Sequence, residues 1–424
     1  MTVLAEPPAA STTRVPRKGR LAELLVVGGG LVAPLNLELV RSLTAYDILV
    51  FAALALLLRD GRLRWPPRRY SAMGYVFVLA ALLSAFRATY PTEALTQVLQ
   101  YAFIFFVLLP VVISVVHTRR LVVLSLVMLC IGTLIGTVHA YFFGETQGAG
   151  RVLVFYSENP NRLGYPTAYL LPFLLVFWLL SRGRRPAVRA AVLLGCLVAT
   201  YLSFWAVFAS GSRSSLLGSA AALLVFFAVR PGAGMLRNLG RGLALAALVA
   251  ALGYGLTASG QLPTTLQERV TRSLAAETEV EDQAGLIGDR ENLAKAAVHA
   301  FVETPFVGTG LDNFRYVTTD YNLDATPQVP HNLWLQLLVQ VGVFGTAAFA
   351  LLLLFWVRDA VCAFRRVAAP DRHLLWGTVA AMAGILTIFM FAPEMLSRHY
   401  WLIIGLGLAV ALGAVRENNI GGTP

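Results

Sequence analysis

Apolar runs of about 20 residues, long enough to span a bilayer, recur along nearly the whole of this 424-residue chain. That repetition constrains the fold more than any other feature. A soluble protein with one large core carries about one quarter charged residues. Here 13% are charged and 57% are hydrophobic. The alternating strands of about 10 residues that build a membrane β-barrel are absent. The sequence therefore reads as an all-α polytopic membrane protein.

About twelve transmembrane helices are expected, at 21–40, 44–58, 71–86, 97–116, 121–142, 163–180, 187–208, 214–229, 239–259, 332–357, 373–391 and 399–415. Gly28-Gly29-Gly30 and Pro34 should bend the first. The net charge of +11 could indicate nucleic acid, but 23 of the 34 Lys and Arg fall in alternate segments between the runs. That pattern sets topology, with positive segments inside. Both ends are then cytoplasmic, and no nucleic-acid partner is expected. The resulting division is 1–20 as a cytoplasmic tail, 21–259 as transmembrane helices 1–9, 260–330 as a periplasmic loop domain, 331–415 as helices 10–12 and 416–424 as a second tail. Arg14 to Arg20 precedes the first run without a cleavage site, as in an uncleaved signal anchor. Cys130, Cys196 and Cys362 have no metal-ligand spacing, so no metal, cofactor or disulfide framework is expected.

Two outer segments are long enough for chemistry: 143–162, glycine-rich and then aromatic, and 260–330. The second carries eleven acids between Glu268 and Asp324 and predicts helices near 265–277 and 289–303. Asp289 would cap the latter, Pro305 would end it, and Gly308-Thr309-Gly310 would form a turn.

Four side chains gather on this outer face. His331 follows Pro330 at the start of the tenth run. A helix N-terminus and a nearby arginine both favour neutral imidazole, the form a general base needs. The plain alternative is an interfacial histidine that caps the helix. Arg213 lies in the small-residue turn Ser210-Gly211-Ser212-Arg213, where backbone N–H groups could form an anion nest. Arginine grips phosphate bidentately, although one at an interface can also simply snorkel. Arg290 is expected in the first helical turn, itself an anion site. Asp289 or Glu291 could equally offset it. Arg162 opens the sixth run and is a weaker candidate, while Arg151, Arg269, Arg272 and Arg315 read as surface charges. Glu394 is a second candidate base, and His299 and His399 could line the same face. Gly342 and Gly345 suit close helix packing. No DxD-type metal pair is evident in an outer loop.

The stretch HNLWLQLLVQVGVFG from His331 resembles the His-Asn signature of the O-antigen ligase and O-antigen polymerase superfamily. Ser210-Gly211-Ser212-Arg213 is similar to its arginine turn. Residues 289–314 resemble its arginine-led helix, which ends in a Pro-x-x-Gly-x-Gly turn. Asn292 stands where the family pattern has a larger side chain. The resemblance implies a metal-independent, inverting glycosyltransferase of the GT-C type in the bacterial inner membrane, with its active site facing the periplasm. Its donor would be a glycan on undecaprenyl diphosphate. By carry-over, Arg213 and Arg290 would hold the diphosphate, His331 would activate the acceptor hydroxyl, and Arg162 would support them. The acceptor separates ligases (lipid A–core) from polymerases (a second lipid-linked glycan) and from relatives that glycosylate protein. The single large outer loop and moderate length favour the ligase. A transporter of lipid-linked sugar is the alternative of another class. It calls for polar residues through the bilayer depth, whereas these charges lie on one face.

Overall fold

A computed structural model of the chain describes residues 19–40, 42–147, 151–155, 157, 159–228, 237, 240, 280–322, 328–392 and 394–420. Thirteen helices lie among these residues: α1 (Arg20–Val32), α2 (Ala45–Arg59), α3 (Arg68–Ala85), α4 (Pro91–Val115), α5 (Arg119–Phe143), α6 (Asn161–Ser181), α7 (Pro186–Ser210), α8 (Arg213–Ala228), α9 (Val280–Glu303), α10 (Phe314–Tyr321), α11 (Leu333–Phe364), α12 (Ala369–Phe389) and α13 (Arg398–Ile420). Two short antiparallel hairpins join them. Strand β1 (Glu38–Val40) pairs with β2 (Leu43–Thr44), and β3 (Thr146–Gln147) pairs with β4 (Arg151–Val152).

Ten of the twelve expected spans coincide with helices; the first, 21–40, is α-helical only to Val32 and ends in β1, and the ninth, 239–259, lies outside the described residues save for position 240. Six helices (α4, α5, α6, α7, α11 and α12) are long and apolar enough to cross a membrane by length and composition. Twelve crossings therefore remain an expectation. Most of the basic patch before the first run, up to residue 18, and the helix near 265–277, with Arg269 and Arg272, also fall outside the described residues.

Local chemistry explains most helix ends. Rather than bending, α1 stops at Val32, and Pro34 enters a 3-10 turn, Ala33–Leu35. Thr44 and Asp47 form a reciprocal capping box at the head of α2. Pro110 has no N–H to offer the Phe106 carbonyl, and α4 widens into a π turn over Ile104–Leu108 just before it. Helices α8 and α12 meet through Gly218 and Gly384, where a Cβ on either would lie under 3 Å from the other's carbonyl oxygen.

Polar contacts sort the segments into two ends. At one, Arg69 pairs with Asp359, and Arg119 with Asp371. At the other, Arg398 pairs with Asp47 at 2.8 Å, Arg162 with Glu394 at 3.0 Å, and the Tyr90 amide donates to Asn313 Oδ1 at 2.7 Å. Arg69, Asp359, Arg119 and Asp371 lie in segments expected on one side of the membrane, and Arg162 and Glu394 in segments expected on the other. The Asp47–Arg398 pair is almost wholly buried and joins the heads of α2 and α13.

Candidate active site

His331 precedes α11, whose N-cap is Asn332. The Asn332 side chain accepts from the amides of Trp334 at 3.0 Å and Leu335 at 3.2 Å. With the helix capped by its neighbour, the imidazole itself is not consumed in capping. It is half-buried, and its Nε2 lies 3.3 Å from Gln328 Oε1. When that carbonyl oxygen accepts from the ring, the proton sits on Nε2 and the lone pair on Nδ1 is free. Burial first, and the Arg290 guanidinium second, lower the imidazole pKa from its ordinary value. Gln328 was not legible as part of the site. Its only signal was its place three residues ahead in Gln-Val-Pro-His.

Arg290 lies close enough to act on His331, but not where the sequence reading put it. Helix α9 begins at Val280, so Arg290 is inside the helix and away from its first turn. The glycines at 285 and 288 cost about 1 kcal/mol each in a helix without ending it. The anion-site argument from the helix N-terminus therefore does not apply to Arg290. Of its two expected local counter-ions, Glu291 pairs with Lys295 at 2.8 Å, and the Asp289 side chain lies outside the described residues. Arg290 is exposed. Asn292 faces the end of α10, its carbonyl accepting from Asn322 Nδ2 at 3.2 Å.

What holds α9 beside His331 is a break in α11. Gly342 has φ +68° and divides α11 into two helical pieces. The segment after α9 bonds to the exposed backbone there. Thr309 N–H donates to Val339 O at 2.8 Å, Gly310 N–H to Gln340 O at 3.1 Å, and Val343 N–H to Pro305 O at 2.8 Å. A Cβ at Gly308 would lie 2.5 Å from the Gln340 carbonyl, and one at Gly342 would lie 2.4 Å from the Phe306 oxygen. Gly342 thus serves backbone pairing rather than the expected helix–helix approach. Gly345 does pack closely, against Val341 and Ala80. Leu293, Ala296, Ala297 and Ala300 of α9 share a core with Val339 and Phe314.

Arg213 starts α8 and is exposed. The nest expected around it is partly filled by serines. Ser210 Oγ accepts from the Ser212 amide, and Ser212 Oγ accepts from the Ser215 amide, each at 3.3 Å. Arg213 therefore offers mainly its guanidinium. Arg151, expected to be a surface charge, instead braces this turn. Its Nε donates to Ser210 O at 2.7 Å, and its Nη2 donates to Asn161 Oδ1. Next to Asn161, Arg162 meets both Glu394 oxygens at 3.0 Å. Glu394 leads back to His331, because Asn332 Nδ2 donates to the carbonyl of Met390 at 3.4 Å. These contacts connect the Arg213 turn to the head of α11. No hydrogen bond or ion pair joins Arg213 directly to His331 or Arg290 among the described residues. His399 is buried against Tyr169 and Tyr400 and shares a small cavity with Arg162 and Glu394. His299 sits on α9 with Nδ1 3.2 Å from Tyr321 O.

The family described as O-Antigen ligase matches residues 198–350. That segment is similar to an O-antigen ligase domain. The match supports a relation to the O-antigen ligase and polymerase superfamily and a glycosyltransferase-like activity on lipid-linked glycan in a membrane. The matched segment of the O-antigen ligase domain contains Arg213, Arg290, His331 and Gly342, whereas Arg162 and Glu394 lie outside it. No curated protein matches the chain.

Proposed function

We propose that this protein is an O-antigen ligase-like glycosyltransferase that moves a glycan from undecaprenyl diphosphate to lipid A–core at the periplasmic face of the inner membrane. The observation that carries the reading is the half-buried His331 imidazole beside Arg290 at the head of α11, within the matched domain.

In this mechanism the acceptor hydroxyl attacks the anomeric carbon of the donor sugar. As the new C–O bond forms, the bond from that carbon to the diphosphate oxygen breaks, inverting the configuration. His331 takes the hydroxyl proton through its Nδ1 lone pair, with Gln328 holding Nε2–H. Undecaprenyl diphosphate leaves with the bonding electrons. Arg213 and Arg290 stabilise that charge by bidentate contacts, so no metal is required. Both guanidinium groups are exposed, as ligands for an external anion would be. Arg162 has a supporting part, holding Glu394 and the turn after α12 near the base. Transfer by purified protein, with and without His331→Ala, tests the reading. Loss of transfer with donor binding retained is expected, and unchanged turnover would refute it.

A further inference from the structure

From Asn159 to Gln267 the chain has nine arginines and neither aspartate nor glutamate. Four of these arginines, Arg182, Arg184, Arg185 and Arg189, crowd the turn between α6 and α7, at the opposite end from His331. Three other arginines at that end have carboxylates: Arg59 has Asp60, Arg69 has Asp359 and Arg119 has Asp371. None of the four pairs with an acid among the described residues. Helix α7 compounds the excess. It starts at Pro186 behind Arg185 with no side-chain cap, so its unsatisfied N–H groups add positive potential.

The turn is also concave. A groove of about 330 Å³ runs between Trp178, Arg184, Pro186, Arg189, Ala190 and Leu193. One wall is cationic and the other apolar. The Arg189 guanidinium lies 4.8 Å from the centre of the Trp178 ring, which orients it. The apolar wall continues along α7 into Leu194 and Leu197, exposed by 65% and 59%. An occupant that satisfies both walls has an anionic head and a hydrocarbon tail.

We propose that the α6–α7 turn binds the phosphate headgroup of an anionic phospholipid, with an acyl chain lying along Leu193 and Leu197. Topological bias alone places arginines at this end. It does not account for a groove with an apolar wall. The site is separate from His331 and rests on none of the residues assigned to glycosyl transfer.

Native mass spectrometry of the detergent-purified full chain tests this. Phosphatidylglycerol, phosphatidylcholine and inorganic phosphate are added separately and in competition to wild type and to Arg184→Gln/Arg189→Gln. Wild type should retain phosphatidylglycerol in preference to phosphatidylcholine. The double variant should lose roughly thirtyfold in that retention, about fivefold for each arginine near a lipid phosphate, with its transfer activity unchanged. Arg184→Gln alone, at an exposed position, should lose about fivefold and serves if the double variant does not fold. Inorganic phosphate should not displace the lipid, having no tail for the apolar wall. Equal retention of the two lipids, or undiminished phosphatidylglycerol binding by the variants, would overturn the proposal. Displacement by inorganic phosphate would make this an ion site and overturn the lipid assignment.

Discussion

Gly342 and Phe306 approach so closely that a methyl group on the glycine would lie 2.4 Å from the Phe306 carbonyl oxygen. The contact sits inside the backbone pairing that ties the segment after α9 to the break in α11. Gly342→Ala has to place a side chain at φ +68° and against that oxygen. A cost of about 1–3 kcal/mol is expected, read as a lower unfolding temperature. Faster proteolysis near 303–310 should accompany it, together with reduced transfer, because Arg290 loses its fixed relation to His331.

The pH profile should report that relation. The active form of His331 is neutral, and burial and Arg290 both lower its pKa. Activity should therefore rise with pH along a limb centred below about 6.5, the ordinary imidazole value. Arg290→Gln removes a cation that disfavours the imidazolium, so the limb should move to higher pH. Gln328→Glu supplies an anion at the Nε2 side and should move it the same way. The acid limb of kcat/KM for the three proteins checks both directions.

Glu394 competes with His331 for the role of base. Its carboxylate is held by Arg162 at 3.0 Å, and it lies outside the matched domain. Glu394→Gln should keep transfer within about tenfold, against the hundredfold or greater loss that follows deletion of a general base. Turnover of this variant at saturating donor separates the two assignments.

The Asp47–Arg398 pair gives a prediction about stability alone. Both side chains are at most 5% exposed, and each oxygen of Asp47 accepts from Arg398, at 2.8 and 3.1 Å. Asp47→Ala leaves a buried guanidinium without its counter-charge and should cost about 3–5 kcal/mol. Asp47→Ala/Arg398→Met should unfold at a higher temperature than Asp47→Ala, since the uncompensated charge is gone.

Hydropathy placed the helices well because apolar runs and loop charge are local signals. The ranges expected for ten spans fall on helices, and the His-Asn signature marks the capped head of α11. Contacts made across long sequence separations were not legible. Asp47 and Arg398 are 351 residues apart, and Arg162 and Glu394 are 232 apart. The helix start at Val280 was missed because Asp289 reads locally as a cap. Gly342 looked like a packing glycine because its positive φ depends on partners more than 30 residues earlier, at Pro305 and Phe306.

The most direct test is a transfer assay with purified protein in nanodiscs, an undecaprenyl-diphosphate glycan donor, and lipid A–core, a second donor-type lipid or a peptide as separate acceptors. EDTA is present throughout. Wild type should glycosylate lipid A–core without added metal, and His331→Ala should bind donor yet transfer about 10²–10⁴-fold more slowly. Wild-type turnover by His331→Ala would contradict the account. So would a magnesium requirement, or product only on the second lipid or the peptide.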